Sequence, residues 1–182
     1  LHPLAVADTV NVGQRPKIED YTDRLFIVIR MVTLGTANEI QWEQVSTFIG
    51  PGFVLSFQES YGDCLDPVRD RLRQGRKMVR SSGSDYLGAM LVDAIIDGYF
   101  PVLEEFGERL ERLETEVIES PTPEVLGRVY RSKRQLMTFR RATWPLRDAL
   151  NQLVRESHDL IDDPVIPYLP HRPDHVMQAV DV

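Results

Sequence analysis

The sequence predicts an α/β (α+β) fold, in which a head with antiparallel strands precedes a long antiparallel helical hairpin and the start of a stalk helix. Branched and aromatic residues are concentrated in three runs in the first third of the chain, a composition typical of strands. After Gly62 the apolar residues step by three and four instead, which is typical of helices. The predicted strands lie near residues 24–34, 41–49 and 53–58, and the predicted long helices near 85–119 and 124–158.

Short elements complete the predicted head. A helix from Pro3 to Val12 ends at a polar run that contains Pro16, which resists helix continuation. The turn Gly50-Pro51-Gly52 separates two predicted strands so tightly that they must run antiparallel. A second helix runs from Pro67 to Gln74, with proline at a first helical position.

Two apolar seams predict that the long helices pair with each other across a turn containing Pro121 and Pro123. The first seam is Leu103, Phe106, Leu110, Leu113 and Val117, and the second is Leu136, Phe139, Thr143, Leu146, Leu150 and Leu153. The first arm has seven glutamates between Glu104 and Glu119, and the second has eight basic residues between Arg128 and Arg155. The predicted divisions are therefore 1–84 for the head, 85–160 for the helix pair and 161–182 for the start of the stalk.

Composition excludes several functional classes. The 182 residues include 28 acidic and 21 basic side chains, a net charge of −7, which argues against nucleic acid as a partner. The single cysteine, Cys64, cannot form an intramolecular disulfide framework or a paired-cysteine metal site. The longest unbroken apolar run is Leu25 to Ile29, whereas a membrane span needs about 20 residues. We therefore expect no membrane-spanning helix within the chain.

No sequence signature of an enzyme is present, since the chain lacks a glycine-rich phosphate loop and the motifs of serine hydrolases and zinc proteases. Two pairs of potential metal ligands remain. Asp93 and Asp97 are four residues apart in the apolar half of a predicted helix, so they share a face. His171 and His175 have the same spacing, although Pro173 between them disfavours the continuous helix that would place them on one face. Solvated carboxylates and exposed histidines remain the alternative for each pair.

A series of short motifs resembles the cytoplasmic part of CorA-type magnesium and cobalt transporters over essentially the whole chain. The motifs occur in the family's order: Leu1-His2-Pro3-Leu4, Asp8, Asn11, Gln14-Arg15-Pro16-Lys17, Gly62-Asp63, Asp66-Pro67-Val68-Arg69, Asp85-Tyr86-Leu87, Asp93, Asp97, Tyr99-Phe100, Trp144-Pro145-Leu146-Arg147, Pro167-Tyr168 and Asp174-His175.

The resemblance implies a homopentameric cation channel whose soluble funnel lies at the cytoplasmic face of the cell membrane. The pore helix and its Gly-Met-Asn signature would lie beyond Val182, so membrane attachment would come from segments outside this chain. Strands that open the head in the family would precede Leu1.

The resemblance also implies regulatory cation sites between neighbouring protomers. Asp8 matches the acidic residue that one protomer contributes, while His171 stands where the family has the partner aspartate. Asp93 and His175 match a second site, and Ala7 replaces a frequent glutamate. Mg²⁺ prefers oxygen ligands, whereas imidazole favours Co²⁺, Ni²⁺ or Zn²⁺. The expected regulatory and transported ion is therefore Mg²⁺, with the other three as alternatives.

Three other functions remain open at this point. The histidines favour a ZntB-like zinc transporter domain within the same superfamily. A soluble metal-dependent hydrolase could use Asp93, Asp97 and His175, although the resemblance predicts that the chain is not an enzyme. A helical-hairpin interaction module would leave all the carboxylates solvated.

Overall fold

A computed structural model describes residues 1–35, 39–75, 79, 81–155, 161 and 165. Within these residues the elements are α1 (Pro3–Val10), β1 (Lys17–Asp20), β2 (Leu25–Leu34), β3 (Ile40–Gly50), β4 (Phe53–Phe57), α2 (Asp66–Arg73), α3 (Ser84–Asp97), α4 (Tyr99–Glu119) and α5 (Pro123–Arg155). The predicted class, with antiparallel strands followed by long helices, is confirmed. The division into three segments remains a prediction.

The four strands form one antiparallel sheet in the order β1-β2-β3-β4. The three predicted strands are confirmed, and the register pairs Phe26 with Phe48 in the centre of the sheet. The turn between β3 and β4 places Gly52 at a φ of 79°, a left-handed conformation that glycine adopts without strain. Strand β1 was not predicted, because Ile18 is its only apolar residue.

Helices cover both faces of the sheet. Alternate residues of β2, among them Leu25, Ile27 and Ile29, belong to the main core with the long helices. The intervening Phe26 and Val28 join Phe48 and Ala5 of α1 in a smaller cluster. Because successive side chains of a strand point to opposite faces, α1 lies on one face of the sheet and α3, α4 and α5 lie on the other.

The first long helix consists of α3 and α4, which adjoin at Gly98. The backbone angles of Gly98 are those of a right-handed helix, so the two elements form a stretch of 36 residues. By length and composition this stretch, Ser84–Glu119, could cross a membrane, although no unbroken apolar run had suggested it. Half of its most apolar window is buried in the structure, and Met90, Ile95 and Tyr99 belong to the core. Packing against the sheet therefore accounts for its apolar character.

The predicted pairing of the two arms is confirmed, although one residue of the first seam is incompletely covered. Phe106 and Leu113 of α4 are buried, and so are Phe139, Thr143 and Leu146 of α5, but Leu110 is 37% exposed. The inner halves of both helices also pack against the sheet, whereas the outer halves have only each other to cover them. Arg128 of α5 pairs with Glu116 of α4, which joins arms of opposite charge as predicted.

The last predicted elements fall mostly outside the described residues. Helix α5 is described to Arg155, so residues 156–158 of the predicted second helix lie beyond it. The predicted start of the stalk, 161–182, is described only at Ile161 and Val165.

Candidate functional site

Asp8 lies on the last turns of α1, beside the outer strand of the sheet. The helix begins with Pro3, and the His2 ring accepts a hydrogen bond from the Leu4 amide at 3.3 Å. Ala5, which is fully buried, packs against the sheet and fixes the orientation of α1. The Asp8 side chain retains 27% exposure, so its carboxylate is accessible from solvent.

Within the chain the Asp8 carboxylate is paired with a lysine. The Lys17 Nζ donates to Asp8 Oδ2 at 2.5 Å and to Glu19 Oε1 at 2.6 Å. The Tyr21 hydroxyl donates to the other Glu19 oxygen at 2.7 Å. Partial burial alone would lower the pKa of Lys17, but the hydrogen bonds to Asp8 and Glu19 raise it on balance. Lys17 is therefore an ammonium at neutral pH, held between two carboxylates.

Two neighbouring carboxylates could contribute ligands to a cation site. Asp8 and Glu19 both contact the same nitrogen, so their carboxylates lie close together. Carboxylate oxygens are the ligands that Mg²⁺ prefers, but a divalent ion that used both would have to displace Lys17. Among the described residues no three His, Cys, Asp or Glu side chains come together to hold a metal ion. A complete site at Asp8 needs ligands from elsewhere.

Asp93 and Asp97 do not form the buried pair that their spacing suggested. Asp93 is half-buried in α3 and has an interaction partner, whereas Asp97, one turn later, is exposed. Since α1 and α3 lie on opposite faces of the sheet, Asp8 and Asp93 are not brought together within the described chain. His171 and His175 lie outside the described residues.

Several motif residues instead hold the head together. Asp63, whose side chain is only 5% exposed, accepts two bonds from the Arg69 guanidinium at 2.6 and 2.5 Å. It also accepts bonds from the Leu65 amide and the Gln58 amide group, both at 2.9 Å. Led by the bonds from Arg69, these interactions lower the pKa of Asp63 from 3.8 to about 2. This pair ties the loop after β4 to helix α2.

Aromatic motif residues pack in the core and along α5. Tyr99 is fully buried, and its hydroxyl donates to the Arg30 carbonyl oxygen of β2 at 2.6 Å. The guanidinium carbons of Arg140 and Arg147 lie 5.0 and 5.1 Å from the centre of the Trp144 ring, a cation–π arrangement. These contacts give the motif residues a structural role.

Sequence reasoning missed Lys17 and Glu19 as neighbours of Asp8. The spacing could have indicated them, because residues two apart in a strand share a face. The short, polar segment Lys17–Asp20 did not, however, indicate a strand.

Comparison with known proteins extends along the whole chain. A family model described as CorA-like Mg²⁺ transporter protein matches residues 1–181. The cobalt/magnesium transport protein CorA of Thermotoga maritima is 41% identical over 182 residues, all of this chain and 52% of that protein. A putative metal ion transporter of Bacillus subtilis, YfjQ, is 26% identical over 181 residues and is covered to 56%. The chain thus spans about half the length of these curated relatives.

Solved structures show the same fold. The complete CorA magnesium transporter of Methanocaldococcus jannaschii superposes with a TM-score of 0.83 at 16% identity, covering 100% of this chain and 57% of that one. The soluble domain of CorA from the same organism gives 0.74 at 16% identity, with 97% and 71% covered.

The matching family consists of transporters, which confirms the expectation that the chain is not an enzyme and removes the hydrolase alternative. The family model covers all but the last residue, and the order of motifs, the fold and the identity to a full-length relative agree with it. The chain therefore belongs to the family of CorA-like Mg²⁺ transporter proteins.

Proposed function

We propose that the chain is the cytoplasmic regulatory domain of a homopentameric Mg²⁺ and Co²⁺ channel. The observation that carries this proposal is the 41% identity, without a gap in coverage, to a cobalt/magnesium transport protein. The domain would lie at the cytoplasmic face of the membrane, and segments outside this chain would form the pore.

In this proposal the domain senses cytoplasmic cation at sites between protomers, with Asp8 as the principal ligand. Asp8 is accessible, and its partner Lys17 is itself a cation, so a divalent ion can compete for the same carboxylate. Asp93, His171 and His175 are the weaker candidate ligands. Sharing between protomers would supply the oxygen atoms that one chain lacks.

The proposed gating follows from linkage. A cation that binds only the closed arrangement stabilises that arrangement by its difference in affinity for the two states. Each chain has a net charge of −7, so five copies repel one another when the cation leaves. Loss of cation would thus favour the separation of protomers that opens the pore.

The test is protection of the chain by metal against thermal unfolding, with Asp8→Ala compared with Asp148→Ala. Asp148 is an exposed carboxylate on α5, far along the chain from α1. The control substitution therefore removes the same charge as Asp8→Ala at a distant position in the sequence. A ligand at ten times its Kd stabilises by about 1.4 kcal/mol, or roughly 3–6 °C in a domain of this size. We expect Asp8→Ala to lose most of this shift and Asp148→Ala to keep it. In the full-length protein, Asp8→Ala should make the current less sensitive to cytoplasmic Mg²⁺.

Equal protection of both variants, together with unchanged Mg²⁺ sensitivity of the current, would exclude Asp8 as the sensor.

The residue types of His171 and His175 favour a second candidate, the domain of a zinc transporter. Under that alternative Zn²⁺ would protect the chain at far lower concentration than Mg²⁺. The substitution His175→Ala would abolish this preference for Zn²⁺ over Mg²⁺.

A further inference from the structure

A cleft of about 350 Å³ lies between the loop that precedes β1, the sheet and helix α5. Three arginines line it, one from each of these parts: Arg15 from the loop, Arg30 from β2 and Arg141 from α5. Trp42 of β3 forms part of its wall. The cleft is separate from the carboxylates of Asp8 and Glu19.

The positive charge in this cleft is not balanced by the described protein. No carboxylate lines the cleft. Among the described residues, the side chains of Arg15, Arg30 and Arg141 form no ion pair with a carboxylate. The chain has 28 acidic side chains against 21 basic ones, yet three arginines share a cleft that no carboxylate lines, and a bound anion would balance their charge.

One wall of the cleft is held in place by a buried glutamine. Gln44, which is 2% exposed, accepts hydrogen bonds from the Gly13 and Gln14 amides at 3.1 and 3.0 Å. Its amide nitrogen donates to the Asp8 carbonyl oxygen at 2.9 Å and to the Ser46 hydroxyl at 3.1 Å. The loop that carries Arg15 is therefore fixed to β3, beside Trp42. A site that is ordered before binding loses less entropy when the ligand arrives.

The geometry points to an oligophosphate anion as the ligand. Guanidinium groups present paired donors that match the oxygen atoms of phosphate, and three of them exceed what a single carboxylate would use. The cleft volume is at the lower end of the range for small-molecule sites, roughly 300–1,000 Å³. We propose that this cleft binds a compact oligophosphate, either free pyrophosphate or the diphosphate end of a nucleotide, in contact with Trp42.

Trp42 provides the assay, because a ligand in the cleft should change its fluorescence. Pyrophosphate and ADP are titrated separately into the chain, with EDTA present to remove divalent cations, and isothermal calorimetry measures the same equilibria. The test variants are Arg15→Gln and Arg141→Gln, both at exposed positions that should not impair folding. The control is Arg134→Gln, which removes one exposed charge from the same helix as Arg141. Trp42→Phe identifies the tryptophan that responds.

We expect saturable binding that weakens about tenfold or more in each test variant and is unchanged in the control. The fluorescence change should disappear in Trp42→Phe while calorimetry still detects binding. Tighter binding of ADP would assign the site to a nucleotide, and equal affinities would assign it to free oligophosphate. Absence of saturable binding at millimolar ligand, or equal weakening by Arg134→Gln, would overturn the proposal. Because divalent cations are absent, this result is independent of the sensing role of Asp8.

Discussion

Neutralising Asp63 should destabilise the head in a way that depends on pH. The Asp63 carboxylate is nearly buried and bonds to Arg69, Leu65 and Gln58. These bonds lower its pKa from 3.8 to about 2, a shift that corresponds to about 2 kcal/mol of stabilisation at neutral pH. We therefore expect Asp63→Asn to lower the free energy of unfolding at pH 7 by about 2 kcal/mol, and the melting temperature by about 4–8 °C.

The sign of the pH dependence follows from the direction of the shift. A carboxyl group whose pKa is lower in the folded state stabilises that state fully above its unfolded pKa, and the stabilisation is lost as pH falls through the folded pKa. The difference in free energy of unfolding between the parent and Asp63→Asn should therefore have its full value above about pH 5 and decrease between pH 4 and pH 2. Urea denaturation followed by circular dichroism at pH 7, 5, 4 and 3 measures it.

Asp66→Asn is the matched control. Asp66 contacts the same guanidinium at 3.0 Å, but its side chain is 77% exposed, and an exposed ion pair contributes about 0.2–1 kcal/mol. The reasoning fails if the two variants lose equal stability. It also fails if the stability lost by Asp63→Asn relative to the parent stays constant from pH 7 to pH 3, since the stabilisation would then not depend on ionisation.

Two further substitutions test contacts of the sheet. Lys17→Met removes the ammonium that pairs with Asp8, so the chain should bind Mg²⁺ more tightly and show a larger protective shift in melting temperature. An unchanged or smaller shift would show that Lys17 does not compete with the cation. Tyr99→Phe removes the hydrogen bond to the Arg30 carbonyl oxygen and should lower the free energy of unfolding by about 1 kcal/mol. Chemical denaturation measures this loss, and a neutral result would mean that the hydroxyl contributes nothing net.

The sequence was sufficient to predict elements whose own residues determine their structure. Strand β2 is almost entirely apolar and branched, and it forms the centre of the sheet as expected. Strand β1 has little apolar character of its own, and it forms by pairing along its whole length with β2, where Ile18 lies opposite Ile27. Pairing of this kind is a tertiary effect that propensity does not report. The exposure of Leu110 is also a tertiary effect. The spacing of apolar residues shows which of them share a face of the helix, but not how much of that face the partner helix covers.

The environment of Asp8 was harder to predict than its position. Motif order located Asp8, but its pairing with Lys17 depends on the placement of α1 beside β1, which depends in turn on the burial of Ala5. The sequence did not indicate the arginine cleft for the same reason. Arg15, Arg30 and Arg141 are far apart in sequence, and they meet only because the sheet, the loop and α5 come together.

The two-faced sheet limits how the candidate ligands can cooperate. Asp8 belongs to the face covered by α1, and Asp93 belongs to a helix on the other face. A cation needs its ligands within about 2–2.6 Å, so one ion cannot be bound by both carboxylates of the described chain with the sheet between them. If both residues bind cations as proposed, they must either serve separate ions or meet through a second copy of the chain. Under the proposed function, residues of a neighbouring protomer would complete the Asp8 site, and a bound cation would then report on the arrangement of subunits.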